Sequence, residues 1–221
     1  MHYENVIHGI FRDRPNRFVA NVSVDGVLET VHVKNTGRCR ELLLPGAEVW
    51  LTRSENPARK TKYDLISVRK ENGVLFNIDS QAPNRVVGEW LAAQNVDSLH
   101  PEYRFGSSRI DFFFVNGGDR YLLEVKGCTL ERDGIGYFPD APTERGTKHL
   151  RELTAALEQG YHSVVAFVMQ ADGMQRVLPN DETDPAFGDA LRAAEAVGVR
   201  ILALPCHVEP DRLEIIGGIR I

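Results

Sequence analysis

Hydrophobic positions follow two different rhythms along this chain. Over the first 80 or so residues they alternate with polar ones in short runs, the period-2 signature of half-buried strands. Phe18–Val24 and Val27–Val33 flank Asp25-Gly26, a two-residue hairpin signal. Ala47–Arg53 and Tyr63–Arg69 follow, and Asn72-Gly73 turns the chain into Val74–Ile78. Five short strands with loops at 34–46 and 54–62 predict an all-β module, either a small Greek-key barrel such as an OB-fold or a small sandwich. After Gln81-Ala82-Pro83 the rhythm lengthens. Asn84 is placed to cap a helix over 85–94 with Val86, Val87, Trp90 and Leu91 on one stripe. Thr143 opens a second helix with a Leu150, Leu153, Leu157 stripe, stopped by Gly160; a third over 186–197 ends at Gly198. Apolar strands are expected at 163–169 and 199–204. Strand, helix, strand, helix, strand from 120 to 204 predicts right-handed crossovers and a mixed central sheet covered by helices. The expectation is therefore two domains, 1–80 and 81–221.

The chemistry concentrates on one hairpin. Residues 109–115 and 120–126 both alternate as strands, and Gly117-Gly118 between them is a two-residue turn. Pairing Asn116 with Asp119 sets Asp111 opposite Glu124, where Cβ atoms lie roughly 4.5–5.5 Å apart. Lys126 shares Glu124's face. Two carboxylates and an ammonium on one patch suit a divalent metal and a developing anion. The plainer alternative is a surface ion pair worth about 0–1 kcal/mol. The flanking Ile110, Phe112, Phe114, Leu123 and Val125 argue against it, because they form a buried alternate face. Gly127-Cys128-Thr129-Leu130 then leads into a loop, so the carboxylates are expected at a strand end.

Composition narrows the class. The 221 residues are 43% hydrophobic, as in an ordinary globule, and no run approaches a membrane span. Three scattered cysteines without a C-x-x-C pair argue against a zinc ribbon or a disulfide framework and for a reducing compartment. No apolar leader stands at the N-terminus, so a cytoplasmic location is expected. The net charge of −5 is unevenly spread: residues 1–70 hold 12 Lys+Arg against 8 Asp+Glu, the remainder 14 against 23. A basic front on an acidic body points to a local anionic partner. Arg12, Arg14 and Arg17 precede the first strand, Lys34, Arg38 and Arg40 surround the 34–46 loop, and Arg53, Arg59, Lys60 and Lys62 cluster on the 54–62 loop. Such loops flank the oligonucleotide-binding face of an OB-fold.

Several motifs together resemble one family. Asn35-Thr36-Gly37, Ser54-x-Asn56-Pro57-x-Arg59-Lys60, Ser108-Arg109-Ile110-Asp111-Phe112, Glu124-Val125-Lys126 and Phe138-Pro139-Asp140-Ala141…Thr143-x-Arg145-Gly146-x-Lys148-His149-Leu150 are similar to the sugar fermentation stimulation protein A family. A helix, then Asp, then Glu-x-Lys also resembles the core of the PD-(D/E)XK nuclease superfamily. The resemblance implies an N-terminal OB-fold barrel, a restriction-endonuclease-like α/β C-terminal domain with a mixed sheet, and sequence-non-specific DNA binding. A regulatory link to maltose metabolism comes with the family name alone.

On that footing Asp111 and Glu124 are expected metal ligands for Mg²⁺ or Mn²⁺, with the Val125 carbonyl as a further donor and Lys126 orienting or deprotonating water. Glu89, on the preceding helix, is the candidate third carboxylate, and Lys148 a candidate contact to the scissile phosphate. Arg145 and Thr129 are lesser neighbours, His149 a structural helix histidine and Asp140 a turn residue. Nucleic-acid contacts are expected from Arg12, Arg14, Arg17, Lys34, Arg38, Arg53, Arg59 and Lys60. Three functions compete: a Mg²⁺-dependent nuclease, a catalytically silent DNA-binding regulator, and a metal-dependent hydrolase of a small phosphorylated molecule. The intact Asp/Glu/Lys set favours the first over the second, and the basic loops favour both over the third. A homo-oligomer is compatible with the sequence.

Overall fold

The computed structural model describes residues 1–35, 37–56, 58–217 and 219–221. Two motif residues, Thr36 and Pro57, lie outside the described residues. The chain divides into two compact units. The first comprises Met1–Ala82 with Gln170–Gly173 and Cys206–Glu214; the second comprises Pro83–Met169, Met174–Pro205 and Ile215–Ile221. Among the described residues, no helix is long and apolar enough to cross a membrane.

The first unit contains β1 (Val6–Asn16), β2 (Val19–Val24), β3 (Val27–Val33), β4 (Glu48–Arg53), β5 (Tyr63–Arg69) and β6 (Leu75–Asn77). Pairings β3-β2-β1-β4-β5 run side by side, and a parallel β3–β5 contact closes them into a five-stranded barrel; β6 hangs on β5. The strand over 74–78 is thus outside the ring, and β1 takes the fifth place. Nothing in the alternation announced β1, because its pairing with β2 shifts register between Phe11 and Asp13 and again before Asn16. Val22, Val31, Val49, Leu51, Leu65 and Val68 fill the barrel, each fully buried. The late segments join this unit by main-chain bonds. The Met1 ammonium donates to the Leu213 carbonyl (2.7 Å), Tyr3 N–H to Asp211 (2.8 Å), and Asn77 N–H to Gln170 (2.9 Å).

The second unit opens with α1 (Ala82–Ala93), followed by β7 (Ser98–Phe105), β8 (Ser108–Asn116) and β9 (Asp119–Cys128). Next come β10 (Leu130–Arg132), β11 (Ile135–Phe138), α2 (Glu144–Leu157), β12 (His162–Met169), β13 (Arg176–Pro179), α3 (Pro185–Ala196) and β14 (Arg200–Glu209), which from Cys206 onward belongs to the first unit, as does β15 (Arg212–Ile215) up to Glu214. The main sheet runs β15-β14-β12-β9-β8-β7, parallel at β9–β12–β14 and antiparallel at β9–β8–β7. That is the mixed sheet expected. A small sheet of β10, β11 and β13 was not foreseen, nor was edge strand β7, whose pattern is broken by Pro101 and by Glu102 at φ +56°. α2 and α3 bury Leu150, Leu153, Phe187 and Leu191 against Leu122, Val165 and Phe167. Ile110 joins this cluster, apart from the Phe112 and Leu123 it was expected to accompany.

Candidate active site

The β8–β9 hairpin carries the site. Gly117 and Gly118 sit at φ +61° and +89°, the left-handed conformation a two-residue turn needs and glycine adopts freely. The register starts at Asn116↔Asp119, as expected, and holds through Phe112↔Leu123. There the regular pairing stops. Asp111 is not a ladder partner of Glu124; instead its Oδ2 accepts the Val125 N–H at 2.8 Å, a side chain taking the place of a strand carbonyl. β9 continues to Cys128, paired with Met169 of β12, so Glu124 lies inside a strand and not at its end.

Each carboxylate is held by a different helix. Asn84 Nδ2 on α1 donates to Asp111 Oδ1 at 2.7 Å. The helix starts at Ala82, so Asn84 lies within its first turn, and the Asp79 side chain accepts the Gln81 N–H at the entry instead. On the other carboxylate, Glu124 Oε1 accepts both Lys126 Nζ (2.6 Å) and His149 Nδ1 of α2. Glu124 and His149 are each 3% exposed. Glu124 Oε2 is buried and has no hydrogen-bond partner among the described residues.

Electrostatics push the two acids apart. Burial raises the Asp111 carboxyl above its ordinary range, and the neighbouring Glu124 charge raises it further, against the pull of the Val125 N–H, Asn84 and Lys126. Burial acts on Glu124 in the same direction, yet the His149 bond and the Lys126 charge outweigh it and hold Glu124 below its ordinary value. One acid is thus kept ionised while its neighbour resists ionisation. A cation between them would relieve that repulsion.

Two expected members are not brought to this cluster. Glu89 is exposed on α1, five residues or about 140° around the helix from Asn84. Among the described residues, no three His, Cys, Asp or Glu side chains converge as a metal-holding group, so Glu89 does not complete a set of ligands. Lys148 is 52% exposed and turns its ammonium toward Glu152 (3.7 Å), one helical turn on. The neighbouring His149, taken from sequence as merely structural, reaches Glu124 instead. Thr143 caps α2 by accepting the Gly146 N–H at 3.1 Å, which fixes the turn from which His149 projects.

The basic residues of the first unit divide into two groups. Arg14 is drawn inward, donating to the carbonyls of Arg17, Asn35, Gly37 and Arg38 at 2.6–2.9 Å, where it braces two loops. Arg59 closes on both oxygens of buried Asp64 (2.6 and 3.0 Å), and Lys34 stands 3.1 Å from the same carboxylate. These three side chains are engaged in holding the fold. Arg12, Arg17, Arg38, Arg53 and Lys60 are exposed. Arg17 lies over the ring of Phe18, an aromatic that is 49% exposed.

Comparison with known proteins finds matches along most of the chain. The profile described as SfsA N-terminal OB domain matches residues 13–78, and that described as Sugar fermentation stimulation protein RE domain matches residues 81–212. The chain is 51% identical over 217 residues to a sugar fermentation stimulation protein homolog of Desulfitobacterium hafniense, covering 97% of this chain and 95% of that protein. A homolog from Ruminiclostridium cellulolyticum is 48% identical over 219 residues, covering 97% and 96%. The solved structure of Pyrococcus furiosus SfsA in complex with Ca²⁺ superposes with a TM-score of 0.85 at 26% identity, over 100% of this chain and 98% of that one. With both halves matched and half the residues shared with these relatives, the chain belongs to the sugar fermentation stimulation protein (SfsA) family.

Proposed function

We propose that this protein is a divalent-cation-dependent phosphodiesterase acting on nucleic acid, DNA foremost, in the cytoplasm. One observation carries the reading: Glu124 Oε2 is buried without a donor among the described residues, in a carboxylate held ionised beside a second acid. Leaving such an atom unpaired costs about 1–3 kcal/mol or more for a charged group, and a cation removes that penalty. All the available donors are oxygens, which suits Mg²⁺ or Mn²⁺ with waters and phosphate oxygens completing the shell. Asp111, Glu124 and the Val125 carbonyl would hold the ion. A relative of the same fold was solved with Ca²⁺, another hard cation. When bound, the ion neutralises phosphate charge and acidifies a water. Lys126, 14% exposed at its side chain, supplies positive charge next to the same carboxylate, and Asn84 fixes the orientation of Asp111. Arg12, Arg17, Arg38, Arg53 and Lys60 offer sequence-independent phosphate contacts.

A second reading, a DNA-binding factor that keeps the scaffold without cutting, is favoured by the Lys126–Glu124 ion pair, which occupies the ammonium. Incubation with labelled single- and double-stranded DNA and RNA, in Mg²⁺, Mn²⁺ or EDTA, separates the two. Metal-dependent cleavage is expected, lost in Asp111→Asn and Glu124→Gln while nucleic-acid binding is kept or improved, because repulsion toward phosphate falls. Mg²⁺ is also expected to raise the melting temperature of the wild type more than that of Asp111→Asn. Absence of cleavage with every metal, together with no Mg²⁺-dependent stabilisation, would leave the silent binder standing.

A further inference from the structure

The two oxygens of Glu124 are very unequally supported. Oε1 receives two donors, Lys126 Nζ and His149 Nδ1, whereas Oε2 receives none from the described residues. A carboxylate only accepts, so His149 Nδ1 carries the proton. Arg145 Nε, which only donates, lies 3.5 Å from His149 Nε2 and directs a long hydrogen bond to it. Both ring nitrogens are thereby committed, and neither presents a lone pair to a neighbouring ion. The carrier of the ring is fixed as well. Thr143 N–H donates to Asp184 Oδ2 (2.8 Å) while its hydroxyl caps the helix, and the imidazole itself is buried.

We propose that His149 is a positioning residue for the cation site: it pins Glu124 through Oε1, leaves Oε2 to the ion, and is not itself a ligand. The inference rests on the cation reading above and adds the identity of the residue that shapes the donor set. An imidazole beside two carboxylates is otherwise a combination suited to zinc or iron. Here its protonated nitrogen faces the acid, so the site stays an all-oxygen one. Residues that orient a ligand from behind typically contribute 10–100-fold to metal affinity.

Electron paramagnetic resonance of Mn²⁺ added to the full-length protein tests this without any nuclease assay. His149→Ala is expected to weaken Mn²⁺ binding by about 10–100-fold. His149→Asn, whose amide N–H stands near the position of Nδ1, is expected to recover most of the loss. Spin-echo modulation of Mn²⁺ in the wild type is expected to lack the coupling of a directly bound imidazole nitrogen. A directly bound nitrogen, or unchanged affinity in His149→Ala, overturns the inference while leaving the cation site standing. No Mn²⁺ binding by the wild type overturns the cation reading, and this inference with it. Circular dichroism identifies a variant that fails to fold; the wild-type spectrum and His149→Asn then decide.

Discussion

Asp64 on β5 is buried yet ionised, because Arg59 grips both oxygens while Lys34 and His32 stand within 3.1 Å. Burial alone would raise its carboxyl; bonds from Arg59, His32 and Lys34 reverse that and bring it down to about 2. A lowered folded-state value means the contribution is complete above the unfolded value, near 4, and disappears as pH falls through about 2. The difference corresponds to about 2–3 kcal/mol of stability. Urea unfolding followed from pH 6 to pH 2 is expected to show that loss in the wild type and a shallower slope in Asp64→Asn. A flat profile for the wild type would show that Asp64 is not linked to folding. Arg59→Ala leaves Asp64 with only the Lys34 and His32 contacts, so a destabilisation of about 1–3 kcal/mol is expected, distinct from any change in nucleic-acid affinity. By contrast Arg17 and Lys60 are exposed, and their joint replacement by Ala is expected to leave melting unchanged. It should also flatten the dependence of log K on log salt by roughly one unit for each phosphate no longer neutralised. An unaltered slope in direct binding titrations would remove both from the interface.

At the scale of elements, α2 is the piece whose placement matters most. Gly146 lies where a Cβ would come within 2.9 Å of Thr143 Cγ2 and 3.2 Å of Phe187 on α3. Gly146→Ala gains up to ~1 kcal/mol of helix propensity but must displace the cap or the helix–helix contact, and a net loss of about 1–3 kcal/mol is expected. Denaturant midpoints measure it, and a stabilised variant would mean the cap yields freely. The elements legible in the sequence were those specified by neighbours in the chain. Asp25-Gly26 and Gly117-Gly118 fix their hairpins locally, and Thr143 with Gly160 brackets α2. What escaped notice depends on distant partners or on broken periods. β1 is bulged, β7 carries Pro101 and a positive φ at Glu102, and Arg59 looks like any loop arginine until Asp64 is placed beside it. His149 belongs with these: only the fold brings it to Glu124, 25 residues earlier. The hairpin gave Asp111 and Glu124 as neighbours, but the side-chain bond to Val125 that ends the ladder has no signature in alternation.

On the scale of the whole molecule, the first unit is not one stretch of chain. A fragment of residues 1–82 keeps every barrel strand but loses the Met1–Leu213 pair of main-chain bonds, the Tyr3–Asp211 bond and the Gln170 amide that serves Asn77 and Asp79. Such a fragment is expected to melt well below the first transition of the intact protein, or not to fold. A fragment as stable as the full chain in scanning calorimetry would show the later segments to be dispensable.

Those returning segments also set an order of events during synthesis. Residues 1–82 leave the ribosome before the segment Cys206–Glu214, so Leu213 and Asp211, the main-chain partners of Met1 and Tyr3, emerge only after the helices of the second unit. The unit begun before the other is therefore completed after most of it. The same interleaving means that a recombination joint near residue 82 transfers the barrel strands without the later segments of their unit and leaves the old gene with segments that lack their partners. The two units this family combines are stitched into one inheritable piece.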